Sequence, residues 1–228
     1  LLDAELARLD VRLPLDARPL RFGSWVGGDR DGNPFVTPQV TLDVLALQHD
    51  HALRALVAAV EELAAELSAS ERVVGVSDAL RKSLEADREA LPEIYDRFRR
   101  LSAGEPYRLK LSYVHQRLQN ARIRLRDGGR AVPGREYLRP EELLAELRLV
   151  ARYLQEHRGE RIARGSVSRL ARRVAAFGFG LATLDVREHA TKHHAVLAQL
   201  YARLGPEPAY PVLDRDARFR ILSGELAG

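Results

Sequence analysis

The sequence predicts a mainly α-helical protein with two short buried strands, and three observations carry that prediction. Long stretches repeat Ala, Leu and Val at three- and four-residue intervals, the spacing of one helix face. Ser, Thr or Pro stand where several of these stretches begin, and Gly where one of them ends. Two runs, residues 20–26 and 178–186, are instead short, apolar and flanked by Gly, as buried strands are.

Each element has a local reason. Thr37-Pro38 supplies a cap and a proline at the first helical position, and the periodic segment behind it runs to about residue 67. Ser77 caps a second stretch, restarted at Pro92 and reaching about residue 101. Glu105-Pro106 opens a third, which continues through Leu125 until Asp127-Gly128-Gly129 ends it. Arg139-Pro140-Glu141-Glu142 starts a fourth, with its acids where the helix dipole favours them, ending near residue 157. Residues 166–177, 188–204 and 214–226 read as three more helices. The strands are expected over 20–26 and 181–186, each delivering polar residues at its C-terminal end.

Composition narrows the function classes. At 46% hydrophobic the 228 residues can bury a sizeable core, and a disordered chain is excluded. The absence of Cys excludes a disulfide framework, a thiol nucleophile and Cys-ligated zinc. No apolar run approaches the ~20 residues that span a bilayer and no signal peptide opens the chain, so a cytoplasmic setting is expected. The chain opens on Leu1 and contains no Met, and it reads as an excerpt from something longer. Residues 127–140 and 205–211 look most like linkers, yet neither divides domains, so 1–228 is read as one segment.

Net charge is +4, and all but three of the 36 basic residues are Arg. Guanidinium groups grip phosphates and carboxylates bidentately, so anionic substrates or nucleic acid are both open. Simple pairing with nearby Glu and Asp is the plainer account of most of them. The basic run Arg158, Arg161, Arg164, Arg169, Arg172 and Arg173 lacks interleaved aromatics, which favours a solvated or protein-facing helix over a nucleic-acid face.

Two segments concentrate chemistry. The first is Phe22-Gly-Ser-Trp-Val-Gly-Gly-Asp-Arg-Asp-Gly-Asn-Pro34, following a predicted strand. Its glycines allow sharp turns and exposed backbone N–H groups, while Asp29, Arg30 and Asp31 crowd charge into the same loop. No Gly-Lys-Ser/Thr follows, so it is not a Walker loop, and its spacing is not that of an EF-hand. An ordinary tight turn, with Asp and Asn satisfying their own backbone, remains open. Trp25, the sole Trp, suits core packing equally well.

The second segment is Leu184-Asp-Val-Arg-Glu-His-Ala-Thr-Lys-His-His194. Arg187 stands where a strand gives way to a helix, a place where an anion meets both guanidinium and helix N–H groups. Asp185 is a candidate partner for it. His189 and His193 are spaced as two ligands on one helix face, but the Glu of a His-Glu-x-x-His site is missing. Gly178-Phe179-Gly180 lacks the third Gly of a dinucleotide loop and follows a helix.

Together these segments resemble the phosphoenolpyruvate carboxylase family. Trp25 to Pro34 is similar to that family's Trp-x-Gly-Gly-Asp-Arg-Asp-Gly-Asn-Pro signature. Glu105-Pro-Tyr-Arg108 and the Phe179-to-His193 segment resemble two further landmarks, in the family's order. Departures are Val186 for the usual Ile, Glu188-His189-Ala190, and Gly180.

The resemblance implies a fold with helices around part of a phosphoenolpyruvate/pyruvate-type α/β barrel. It also implies the conversion of phosphoenolpyruvate and bicarbonate to oxaloacetate and phosphate, feeding the tricarboxylic acid cycle. By the same resemblance Arg187 is the catalytic arginine that meets the substrate phosphate, and Trp25 lines the pocket near its methylene. Gly27, Gly28, Asp29 and Arg30 form the substrate loop, and Arg108 matches a regulatory, sugar-phosphate-linked position.

The family's catalytic His, in a Val-His-Pro-Thr segment, its metal carboxylates and its second glycine-rich arginine loop find no match here. The Mg2+ ligands are therefore expected outside this chain, and these residues alone are expected to be inactive. The resemblance further implies an allosteric homotetramer acting on small anions, with neither nucleic acid nor membrane as partner. A helical anion-binding module and an Arg-rich nucleic-acid-binding protein are the alternatives.

Overall fold

The computed structural model describes residues 5–6, 8–11, 13–14, 17–67, 76–100, 102, 104–156, 159–204 and 210–227. Their elements are β1 (Gly23–Ser24), α1 (Pro38–Glu66), α2 (Asp78–Ala90), α3 (Pro92–Phe98), α4 (Pro106–Asp127) and α5 (Pro140–Glu156). Next come α6 (Glu160–Ile162), a π-helical turn (Ala163–Val167), α7 (Ser168–Phe177) and β2 (Thr183–Leu184). Then α8 (Ala190–Leu204), a 3-10 turn (Tyr210–Val212) and α9 (Arg215–Ala227) complete the order. The expected mainly helical class holds. The helix ends expected near 101 and 157, together with Arg158 and residues 205–209, lie outside the described residues.

Helix boundaries follow the local chemistry. Thr37 Oγ1 accepts from Val40 N at 3.3 Å and Ser77 Oγ accepts from Leu80 N at 3.2 Å. Pro38, Pro92, Pro106 and Pro140 each open a helix, where a missing N–H costs nothing. Gly128 ends α4 in the left-handed region at φ 71°. The fifth expected helix begins earlier than residue 166, because α6 and the π turn lead into α7. Gly165 lies inside that wide turn, and Ser168 Oγ bonds the Ala163 carbonyl at 2.7 Å.

The chain forms two compact units, Leu1–Gly23 with Asp43–Thr183, and Ser24–Leu42 with Leu184–Gly228. The first holds the main core. Leu53, Leu56, Val60 and Leu63 repeat along one face of α1, with Leu67 just past its end, and Leu111, Val114 and Leu118 along α4. Leu143, Leu147, Val150 and Leu154 of α5 join the same cluster, with Leu170 and Val174 of α7. Each such side chain contributes roughly 1.5–3 kcal/mol when fully buried.

That core also encloses a charged network. Lys110 Nζ donates to Ser83 Oγ at 2.8 Å and Asp87 Oδ2 at 2.7 Å, and lies 3.2 Å from Glu146 Oε2 as an ion pair. Arg117 Nη1 meets Asp87 Oδ1 at 2.7 Å and Glu146 Oε1 at 3.0 Å, while its Nε donates to the Gly134 carbonyl at 2.8 Å. Tyr137 OH donates to Glu146 Oε2 at 2.8 Å, and burial followed by that carboxylate pushes its phenol well above the ordinary range.

Four arginines of the basic run are engaged within this unit. Arg164 pairs with Glu160 at 2.6 Å, Arg169 donates to Ser166 Oγ at 2.8 Å, and Arg172 to the Leu13 carbonyl at 3.0 Å. Arg173 donates to the Ala55 carbonyl at 3.4 Å.

The second unit is smaller. Its best-buried side chain is Tyr210, which stacks on Tyr201 with ring centroids 5.3 Å apart. Arg218 lies over Tyr210 at 5.3 Å, and His194 Nδ1 meets its hydroxyl at 3.0 Å.

The strands need correcting. β1 and β2 fall within the two apolar runs and pair in parallel, but each spans two residues and neither is buried. Thr183 N donates to the Phe22 carbonyl and Asp185 N to the Ser24 carbonyl, both at 2.8 Å. The reason is coverage: a two-stranded pair has no third strand to extend it, and its residues stay exposed or half-exposed.

Candidate functional site

The site is built within the second unit, where the chain leaves the two strands. After β1, the Trp25 carbonyl accepts from Gly28 N at 2.9 Å and Asp29 N at 3.1 Å, closing a tight turn. Gly27 takes φ 80° in that turn, where a side chain would be strained. Gly28 is required for a different reason. A Cβ built there would lie 2.3 Å from the Asp185 carbonyl oxygen, so the two backbones approach too closely for any side chain.

Beyond the strands the pairing continues as an isolated parallel bridge between Asp29 and Arg187. Arg187 N donates to the Gly28 carbonyl at 2.9 Å, and Arg30 N to the Arg187 carbonyl at 2.8 Å. The side chains meet as the backbones do. Arg187 Nη2 lies 2.6 Å from Asp29 Oδ2 and Nε 3.2 Å from Oδ1. Hydrogen bonding from Arg187 holds the Asp29 carboxyl below its usual range. Asp29, not Asp185, is thus the partner of Arg187, because the bridge sets Asp29 opposite it.

Thr41, in the first turn of α1, fastens the same loop from behind. Its buried hydroxyl donates to the Gly27 carbonyl at 2.7 Å and accepts from Arg30 Nη2 at 2.8 Å. Arg30 therefore braces the loop, although its Nε is buried without a partner among the described residues. Asn33 Oδ1 accepts from Phe35 N at 3.1 Å, the self-satisfying turn expected of Asn. Trp25 does not pack into a core: it is 60% exposed, and Val26, Phe35 and Val186 are exposed as well.

Sequence reasoning named Trp25, Gly27, Gly28, Asp29, Arg30 and Arg187, and the fold gathers all six in one unit. Arg108 belongs to the other unit. It pairs with Glu105 at 3.1 Å and lines a groove of about 450 Å³ with Ser102, Ser112 and His115. Thr41 was missed, since a helical Thr four residues after another Thr reads as packing. That same spacing, just after a proline-started helix, is the one signal that could have found it.

The histidine pair does not form a ligand face. His189 precedes α8, and its Nδ1 accepts from Thr191 N at 3.3 Å and meets Thr191 Oγ1 at 2.7 Å, capping the helix. Among the described residues no three His, Asp or Glu side chains converge as a metal ion needs. No described helix is long and apolar enough to cross a membrane.

Replacing Gly28 by Ala is expected to destabilise the loop by about 1–3 kcal/mol, the range for forcing atoms into a filled space. Gly32, at φ 72° with open space around it, should tolerate Ala at about 1 kcal/mol. Thermal unfolding of the two variants, with Trp25 fluorescence as a local reporter, checks the order. Equal midpoints would show that the Asp185 carbonyl can move aside.

A glycine turn, a solvent-facing guanidinium paired with Asp29 and exposed apolar side chains make up the candidate site. Comparison with known proteins makes this specific. The family model described as phosphoenolpyruvate carboxylase matches residues 2–228. The phosphoenolpyruvate carboxylase of Thermosynechococcus vestitus is 41% identical over 218 residues, covering 91% of this chain and 21% of that protein. That of Roseiflexus castenholzii is 38% identical over 213 residues, covering 91% and 23%. That of Rhodopseudomonas palustris strain HaA2 is 38% identical over 227 residues, covering 98% and 22%. The chain belongs to the phosphoenolpyruvate carboxylase family, and it spans about a fifth of the length of these relatives.

Proposed function

We propose that this chain is a working part of a phosphoenolpyruvate carboxylase, an enzyme that forms oxaloacetate and phosphate from phosphoenolpyruvate and bicarbonate. The observation that carries the reading is the Arg187 fork, exposed at the end of a parallel strand beside the loop that bears the family signature. A phosphate dianion needs bidentate cationic donors, and Arg187 offers them. Trp25, exposed on the same loop, supplies an apolar wall for the substrate's methylene carbon. Gly27 and Gly28 let the backbone come close without side chains in the way.

In the proposed reaction bicarbonate oxygen attacks the phosphorus, giving carboxyphosphate and the enolate of pyruvate. Carboxyphosphate releases carbon dioxide and phosphate, and the enolate carbon bonds the carbon dioxide. Arg187 neutralises the phosphate charge during the first step, and the Trp25 wall limits water at the carbon that must not be protonated. Divalent metal, Mg2+ in this reading, would stabilise the enolate oxygen from ligands other than these residues.

The remaining proposals follow family membership: a cytoplasmic homotetramer, strands belonging to an α/β barrel, and a regulatory anion contact at Arg108. Neither nucleic acid nor membrane is proposed as a partner. These 228 residues alone are expected to form no oxaloacetate.

The test is the full-length protein given phosphoenolpyruvate, bicarbonate and Mg2+. Oxaloacetate, read by its reduction with NADH, and phosphate are expected in equal amounts. Hydrolysis to pyruvate without oxaloacetate, or no turnover, overturns the reading.

A further inference from the structure

We propose that Asp29 is a positioning residue for Arg187: it clamps one edge of the guanidinium so that the end of the fork stays open for the anion. The inference rests on the reading of Arg187 as the phosphate contact given above, and it assigns Asp29 to bracing the site and not to touching the ligand.

The geometry carries it. Asp29 engages Arg187 side-on, through Nη2 at 2.6 Å and Nε at 3.2 Å. A guanidinium has five N–H donors, and this pairing uses the Nε–H and one Nη2–H. Both Nη1–H groups and the second Nη2–H remain, and they point off the end of the fork at the spacing of two phosphate oxygens. Among the described residues no other acceptor meets that end, and the Arg187 side chain is 62% exposed against 31% for Asp29. The carboxylate is therefore on the sheltered edge and the free donors face outward.

The clamp is itself fixed. The Arg187 N–H bond to the Gly28 carbonyl and the Arg30 N–H bond to the Arg187 carbonyl flank Asp29 and hold both residues in one parallel bridge. Thr41 ties Gly27 and Arg30 on either side of that bridge. An Arg on an exposed strand end would otherwise sample many rotamers, and each bound anion would have to order it. With the side-on edge taken, the phosphate meets a fork already aimed, and Asp29 need not leave for it to bind.

The test uses the full-length enzyme with Asp29→Asn, Arg187→Ala and the double variant. Asp29→Asn keeps the shape and loses the charge and half the clamp. It is expected to lower kcat/KM for phosphoenolpyruvate about ten- to a hundredfold, the scale of misplacing one contact group. The thermal midpoint should stay at the wild-type value, and in the Arg187→Ala background the same change should cost nothing further.

Three results overturn the inference: unchanged kinetics, tighter substrate binding, which would make Asp29 a competitor for the fork, or a loss that adds to that of Arg187→Ala. If Asp29→Asn lowers the midpoint, the cycle is repeated with Asp29→Glu, which keeps the charge but shifts the clamp by one methylene and should show the same coupled loss. If the unsubstituted enzyme makes no oxaloacetate, the functional reading fails instead. Titration with inorganic phosphate then decides the inference, with weaker binding by Asp29→Asn expected and equal binding overturning it.

Discussion

Arg187→Ala in the full-length enzyme is expected to lower catalytic efficiency with phosphoenolpyruvate more than about a hundredfold. A charge-assisted hydrogen bond contributes roughly 1.5–3 kcal/mol, and each 1.4 kcal/mol is about tenfold. Arg187→Lys keeps the charge and loses the fork, so a fall of about ten- to a hundredfold is expected, and Ala loses both. The Ala variant also leaves the Asp29 carboxylate facing the site without its cation. Negative charge on the attacked phosphorus spreads over its oxygens as transfer proceeds. The loss should therefore appear in kcat as well as in KM. Steady-state kinetics at saturating phosphoenolpyruvate checks this, and near-normal turnover by Arg187→Ala removes Arg187 from the reaction.

Lys110→Met should produce the largest loss of stability, about 3–5 kcal/mol, the range for removing one partner of a buried ion pair. Lys110 is 1% exposed and Asp87 4%, so water cannot replace the lost ammonium without opening the core. The network holds two cations, Lys110 and Arg117, against two carboxylates, Asp87 and Glu146. Met fills most of the volume but leaves one negative charge uncompensated. Ser83 also loses its partner. Against a typical total of roughly 5–15 kcal/mol this is a large fraction. Denaturant unfolding followed by circular dichroism measures it, and a midpoint equal to wild type would show that the network contributes no such penalty.

Much of the architecture was legible in the sequence because its causes are local. Thr37-Pro38, Ser77, Pro92, Pro106 and Pro140 mark helix starts whatever surrounds them, since caps and proline act on their own turn. The periodic leucines of α1 and α4 show which face is buried. The glycine loop and Arg187 stood out as the two chemical segments, each behind an apolar run bounded by Gly, while the parallel pairing of those runs came from the fold. Strand length and burial were not legible. An apolar run states what a strand would bury, and its neighbours in space decide whether it is buried.

The partners of charged side chains also lay beyond the sequence. Lys110 and Asp87 sit on different helices, and nothing along the chain distinguishes this Lys from a solvated one until α2, α4 and α5 enclose it. Arg187 had a nearer candidate in Asp185, and only the bridge register set Asp29 across from it. Gly27 and Gly28 show the division most plainly. The sequence alone determined a tight, glycine-dependent turn, because Gly27 needs a left-handed φ that belongs to its own residue. Only the tertiary structure decided that Gly28 is equally indispensable, because the carbonyl occupying its Cβ space belongs to Asp185, a residue far along the chain that parallel pairing brings alongside.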